Sequence, residues 1–214
     1  MLSNLKTVRS LVFDLDGTLY NSSGMERGIA RAALTAISQA RGVTEAAAEQ
    51  MLRTAKRRLA ETLEDDPTLT RTCAELGVDI RYLHRAFQQE LKPEKYLSND
   101  PMLFALLDSL RDHGELFIYT NNNLPMTQKI LALLGVEELF VRLYTIEMCW
   151  VPKPDLGAFT RVIEDIGGPP ESFLFVGDRQ GIDLRLPREH GMATLLVHDI
   201  SELLQVHKLL GIIP

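Results

Sequence analysis

The sequence predicts an α/β protein: a Rossmann-like core with a parallel sheet and helices on both faces, interrupted after the first strand by an all-helical insertion. Three observations carry this expectation. From about residue 97 onward, helical and strand-like segments alternate, as in a sheet whose crossovers are helices. Between Met25 and Leu91 the apolar residues recur at helical spacing and no credible strand interrupts them. The first strand, Ser10 to Asp14, is an apolar run that ends in two aspartates one residue apart, followed by a turn at Gly17. The expected organisation is therefore a core domain of residues 1–20 and 97–214 with a helical domain of residues 21–96 between its halves.

Each element has its own local reason. Asn21-Ser22-Ser23-Gly24 marks the exit from the first strand. In the helical block, "MERGIARAALTAISQA" and "TEAAAEQMLRTAKRRLAETL" place apolar residues three and four apart, and Thr44 is the expected N-cap of the second stretch. Asp65-Asp66-Pro67 breaks the pattern, and two shorter helices follow near Leu69 to Leu76 and Arg81 to Leu91. Asp100-Pro101 has a capping carboxylate and a proline at the first helical position, which opens a helix to about Arg111. Then come "ELFIYT" as a buried strand, "PMTQKILALLG" as a helix closed by Gly135, "RLYTI" as a short strand and "DLGAFTRVIEDIG" as a helix. "SFLFVGD", "ATLLV" and a helix from about Ile200 to Leu210 complete the chain.

Bulk properties narrow the function classes. The 214 residues, 45% hydrophobic and 24% charged, suit a globular protein with a sizeable core. A net charge of −6 argues against a broad grip on nucleic acid or on an anionic membrane surface. Cys73 and Cys149 form neither a CxxC nor a Cys/His metal spacing, so both read as ordinary thiols. Residues 1 to 13 lack a signal-peptide pattern and no segment is long and apolar enough to span a bilayer, so the expected location is the cytoplasm.

In a parallel sheet, ligands bind beyond the carboxyl ends of the strands. Four polar clusters fall there: Asp14-Leu15-Asp16, Thr120-Asn121, Lys153, and Asp178 with Asp183. Several carboxylates at one sheet edge raise one another's pKa unless a cation sits among them, and magnesium, which prefers a few hard oxygens, is the natural candidate. A hydroxyl and a lysine beside it suit the oxygens of a phosphoryl group, for which an aspartate can serve as nucleophile. Singly, each residue has a plainer explanation: a strand-end carboxylate capping a turn, a hydroxyl bonded to backbone, a solvated lysine. Their order along the chain outweighs it.

With "VFDLDGTLY", "FIYTN", Lys153 of "VPKPD" and "FVGDRQGID" in sequence, the chain resembles the haloacid dehalogenase superfamily of hydrolases over nearly its whole length. The resemblance implies a Rossmann-like core with the helical block as a cap closing over the site. It implies Asp14 as nucleophile, Asp16 as acid and base, and Thr120 and Lys153 as phosphate stabilisers. Magnesium would be held by Asp14, Asp16 and Asp178, with Asp183 behind them. Asn121 is the further candidate, through a backbone N–H facing phosphate. Dehalogenases of the superfamily lack an aspartate at the position of Asp16, because a halide needs no proton on leaving, so its presence implies phosphate esters. "DLDGTLYNSS" and "YTNNN" are most similar to the pyrimidine 5′-nucleotidase-like branch, which implies a nucleoside monophosphate among small phosphorylated metabolites, with Asn21 and Ser22 at the cap hinge near the leaving group. A phosphosugar phosphatase, a phosphoglucomutase-type mutase and a catalytically silent, partner-binding relative are the alternatives.

Two departures from the family pattern stand out. Arg179 follows the "GD" of the fourth motif where a serine or threonine is common, and Pro187 is expected to shorten the helix after Asp183. The five histidines lie away from the motifs in sequence and read as surface or core residues, while the basic run Arg53, Lys56, Arg57 and Arg58 reads as a solvated helix face. Trp150 is expected to pack near the site or under its loop.

Overall fold

The computed structural model describes residues 5–62 and 66–213. The first strand, β1 (Ser10–Phe13), leads into four helices: α1 (Ser23–Arg41), α2 (Glu45–Ala60), α3 (Leu69–Glu75) and α4 (Ile80–Glu90). Then follow α5 (Pro101–Leu110), β2 (Glu115–Tyr119), α6 (Leu124–Leu134), β3 (Arg142–Tyr144) and α7 (Leu156–Ile166). The chain ends with β4 (Phe173–Gly177), α8 (Arg185–Glu189), β5 (Ala193–Leu196) and α9 (Leu204–Leu209).

The five strands form one parallel sheet in the order β3-β2-β1-β4-β5. β1 is central, with Phe13 in register with Ile118 of β2 on one side and Val176 of β4 on the other. The chain first builds outward on the β2 side and then crosses back to β4, so the connections leaving the sheet diverge at β1. A crevice opens at such a switch point beyond the carboxyl ends of the strands. Asp14, the residue after β1, therefore sits at its mouth.

Both faces of the sheet are covered, and the two-residue strand period divides its side chains between two apolar clusters. Leu11, Phe13, Leu116 and Ile118 belong to one; Val12, Phe117 and Tyr119 belong to the other. The first cluster continues into the helical segment through Met25, Ala32, Ala36, Ile37 and Leu83. Each large side chain buried this way is worth roughly 1.5–3 kcal/mol, so the cluster fixes the helices against the sheet face.

The caps explain the element boundaries. Thr44 Oγ1 accepts from Ala47 N at 3.3 Å, Asp100 Oδ1 accepts from Met102 N and Leu103 N at 3.0 Å each, and Asp155 Oδ1 accepts from Ala158 N at 2.8 Å. Gly135 ends α6 in the left-handed conformation. Of the break expected at Asp65-Asp66-Pro67, Asp65 lies outside the described residues, while Asp66 and Pro67 lie between α2 and α3 as expected. Two segments differ from expectation. After β4 the chain makes a π-helical turn, Gln180–Leu184, where none was expected, before the five-residue α8 that contains Pro187 and is short as expected, since proline cannot supply a backbone donor. The last helix is divided into a 3₁₀ turn, Ile200–Leu203, and α9.

Candidate active site

All seven residues expected at the site line one cavity of about 210 Å³ at the carboxyl ends of β1, β2 and β4. Its floor is organised by Lys153, which is 3% exposed. The Lys153 ammonium donates to Asp14 Oδ1 at 2.7 Å, to Asp183 Oδ1 at 2.7 Å and to the Tyr119 carbonyl at 2.8 Å. An ammonium has three protons, and all three are used. The lysine is thereby fixed in direction, and its backbone N–H donates to Asn121 Oδ1 at 2.6 Å. Burial disfavours its charge, but Asp14 and Asp183 outweigh that effect and hold its pKa above the ordinary lysine value.

Two glycines let the carboxylates close in. Gly17 turns the chain after Asp16 at φ +86°, and a Cβ there would come within 2.5 Å of Asp178 Oδ2. Gly177, the last residue of β4, leaves room for Asp183: a Cβ would meet the Asp183 Cβ at 2.5 Å. The π-helical turn carries Asp183 back over that glycine, and its second oxygen accepts from Arg179 N at 3.1 Å.

The resulting charge density is high. Burial pushes the Asp14 carboxyl well above the ordinary range; Lys153 pulls it back, while Asp183, Asp16 and Asp178 add to the rise. Burial likewise pushes Asp178 up to about 6, with Asp183 contributing in the same direction. One lysine does not offset this group, and a hard cation is the chemistry that would. Asp14, Asp178 and Asp183 each offer a carboxylate oxygen within 4.8 Å of the others. This all-oxygen donor set fits magnesium.

The triad differs from the ligand set expected from the motifs, in which Asp16 stood and Asp183 lay behind. Asp183 is inside it because the π-helical turn brings the residue back to β4. The Asp16 carboxylate is engaged elsewhere: Tyr20 Oη donates to its Oδ1, and Asn122 Nδ2 donates to its Oδ2 at 3.3 Å. Burial raises the Asp16 pKa, and these two hydrogen bonds partly lower it again. Asp16 is thus a protonatable carboxyl, separately held, beside the acidic triad.

The loop after β2 supplies the remaining groups. Thr120 is buried, and its Oγ1 accepts from Asn122 N at 3.0 Å, which leaves the hydroxyl proton available. The three asparagines that follow have separate tasks. Asn121 orients the Lys153 backbone, Asn122 holds Asp16, and Asn123 caps α6 while its Nδ2 donates to the His84 carbonyl at 3.2 Å. Motif reading missed Tyr20, Asn122 and His84. A polar residue on the apolar face of α4, between Leu83 and Phe87, was the available signal for His84, which lines the cavity. Trp150 packs beside it, ring centroids 6.3 Å apart, under the cation of Arg81. Asn21 and Ser22 do not line the cavity: Asn21 donates to the His198 carbonyl and Ser22 caps α1. Arg53, Lys56 and Arg58 lie on the outside of α2, paired with Glu49, Asp66 and Glu75.

A parallel sheet with a buried aspartate–lysine–aspartate array at its switch point defines an α/β protein with an acidic site whose oxygen donors suit a hard cation. The chain belongs to the haloacid dehalogenase-like hydrolase family, whose model matches residues 8–191. It is 25% identical over 202 residues to a glyceraldehyde 3-phosphate phosphatase of Methanopyrus kandleri, covering 89% of this chain and 84% of the relative. A HAD phosphatase from Thermococcus onnurineus superposes with a TM-score of 0.65 at 22% identity, covering 95% of this chain and 98% of that one. A 2-haloacid dehalogenase from Pseudomonas syringae superposes with a TM-score of 0.58 at 17% identity, covering 94% and 98%. Phosphatase and dehalogenase share this fold, so the fold does not choose between their chemistries. Among the described residues, no helix is long and apolar enough to cross a membrane.

Proposed function

We propose that the chain is a magnesium-dependent phosphatase that hydrolyses a small phosphomonoester through an aspartyl-phosphate on Asp14. The observation that carries this reading is the pair of separately held carboxyls: Asp14 fixed by Lys153, and Asp16 fixed by Tyr20 and Asn122. A halide leaves without a proton, whereas an alkoxide requires one, and in this reading Asp16 supplies it.

Magnesium bound by Asp14, Asp178 and Asp183 would supply positive charge against the phosphoryl oxygens. Lys153 adds to that charge and holds Asp14 Oδ1, so that the other oxygen meets phosphorus. The Thr120 hydroxyl and the Asn121 N–H bind phosphoryl oxygens. In the first step a bond forms between Asp14 and phosphorus, the bond from phosphorus to the leaving oxygen breaks, and Asp16 gives that oxygen its proton. In the second, Asp16 takes a proton from water as the water oxygen attacks phosphorus. The Asp14–phosphorus bond breaks, and inorganic phosphate and free Asp14 result.

Residues 21–96 serve as a cap over this site and residues 1–20 with 97–214 as the core. Within phosphomonoesters, the resemblance to nucleotidases favours a pyrimidine nucleoside monophosphate. The cavity supports something smaller, since about 210 Å³ is below the roughly 300–1,000 Å³ typical of pockets for drug-sized ligands. The test is release of inorganic phosphate from a panel of phosphomonoesters with magnesium, by the wild type and by Asp14→Asn. Turnover by the wild type alone supports the reading; undiminished turnover by the variant refutes it.

A further inference from the structure

The cavity has a second wall, contributed by the helical segment, and the residues it supplies carry no charge. Ile29, Leu69, Phe87 and Leu91 make its apolar part; Thr68, Thr70 and His84 make its polar part. Burial lowers the His84 pKa to about 4, so the imidazole is neutral near neutral pH. Thr68 is already committed, its Oγ1 accepting from Arg71 N at 3.2 Å as the cap of α3.

Thr70 is different. Its Oγ1 lies 3.4 Å from His84 Nε2, and both residues are buried. Whichever of the two donates, the hydroxyl retains a capacity: a lone pair if it gives its proton to the ring, its own proton if it receives one. The ring is held by edge-on contacts with Phe87, centroids 5.3 Å apart, and with Trp150. Asn123 binds the His84 carbonyl, so this polar pair keeps its place relative to the loop that carries Thr120.

A carboxylate or a second phosphate on the leaving group would be buried against this wall with no cation of the helical segment, among the described residues, to meet it. Among the described residues, Arg179, from the core side, is the other cation lining the cavity besides Lys153, and its guanidinium donates to the Asp66 carbonyl. Resting on the phosphatase reading, we propose that the leaving group is a short, uncharged polyol or hydroxyaldehyde of about glycerol size, and that Thr70, backed by His84, hydrogen-bonds its free oxygen. The apolar residues around that pair exclude water and make an unmatched hydroxyl costly, which is how a site rejects the analogue that lacks one.

The experiment compares kcat/KM of the full chain with magnesium for glycerol 3-phosphate, glyceraldehyde 3-phosphate, phosphoglycolate, ethyl phosphate and uridine 5′-monophosphate. The two three-carbon esters, whose leaving groups are uncharged and carry a free oxygen, are expected to exceed each of the others by about tenfold or more. Thr70→Val should shrink the ratio of glycerol 3-phosphate to ethyl phosphate by about tenfold, and Thr70→Ser, which restores the hydroxyl, should recover it. Preference for phosphoglycolate that disappears in Arg179→Gln would overturn the inference in favour of carboxylate recognition. Preference for the nucleotide would overturn it in favour of a larger leaving group; both outcomes leave the phosphatase reading intact. A ratio unmoved in Thr70→Val would remove Thr70 from the account. No turnover of any ester would overturn the phosphatase reading and this inference together.

Discussion

The two walls of the cavity are built on opposite principles. Around the strand ends, Asp14, Asp16, Lys153, Asp178 and Asp183 crowd charge together, and Lys153 ties Asp14 and Asp183 to one ammonium while Tyr20 and Asn122 hold Asp16. Across from them, α1, α3 and α4 with their flanking residues present apolar groups, two threonines and a neutral histidine. The difference separates two tasks. Preorganised charge suits a phosphoryl group, which is common to every substrate of such an enzyme, whereas an uncharged wall discriminates by size and by a single hydrogen bond. Changes to the first wall should act on the chemical step, and changes to the second on choice of substrate.

The largest break in that comparison is Asp14→Asn, expected to lower kcat by about 10⁴-fold or more, as loss of a nucleophile does, with the circular dichroism spectrum unchanged. Retention of activity within a few-fold would move the nucleophile elsewhere. Next is Lys153→Met. It should cost about 10²–10³-fold in kcat as an electrostatic contact is lost, with KM little affected. It also leaves Asp14 and Asp183 buried without their cation, so the melting temperature in chelator should fall by several degrees, in line with the roughly 3–5 kcal/mol of a broken buried pair. An effect confined to KM would make the lysine a binding residue only.

Most of the scaffold was legible in the sequence because it is specified locally. Thr44, Asp100 and Asp155 cap helices with their own side chains, and the ends of β1 and β4 follow from apolar runs closed by aspartate or glycine. The floor of the site was legible for the same reason, since the first, second and fourth motifs sit at strand ends and Lys153 lies just before α7. What was hidden depends on three-dimensional closure. Asp183 enters the carboxylate triad through a π-helical turn, and helical periodicity does not reveal an extra residue in a turn. Asn122 meets Asp16 across 106 residues, and Tyr20 meets it through a turn rather than a helix. His84 read only as a surface or core residue, and the packing of α4 shows that it is buried and which cavity it lines.

Tyr20→Phe sharpens the comparison at the boundary between the walls. It removes the hydroxyl that binds Asp16 Oδ1 and keeps the ring, so kcat should fall about tenfold with little change in KM, the size expected for one hydrogen bond to a charged group. An unchanged kcat would show that Asn122 alone holds the acid.

The smallest effect on activity, and the one that probes the uncharged wall, concerns pH and His84. Its folded pKa of about 4 lies below the unfolded value near 6.5, so the unfolded chain binds the proton first. Stability from this group is present above about pH 6.5 and is lost as pH falls toward 4, by roughly 3 kcal/mol in all. Thermal unfolding at pH 7 and pH 5 should show the loss, and His84→Gln, which does not titrate, should show less of it. An equal pH dependence in both proteins would mean that His84 is not buried as a neutral ring.

The central claim is that Asp14 carries the phosphoryl group during turnover. The wild-type chain with magnesium can be mixed with a ³²P-labelled phosphomonoester that it turns over, stopped in acid within a turnover, and digested. The account predicts label on the peptide that contains Asp14, released by hydroxylamine as an acyl phosphate must be, and absent from Asp14→Asn. Label on any other peptide, or none trapped at any time from an enzyme that is releasing phosphate, would contradict it.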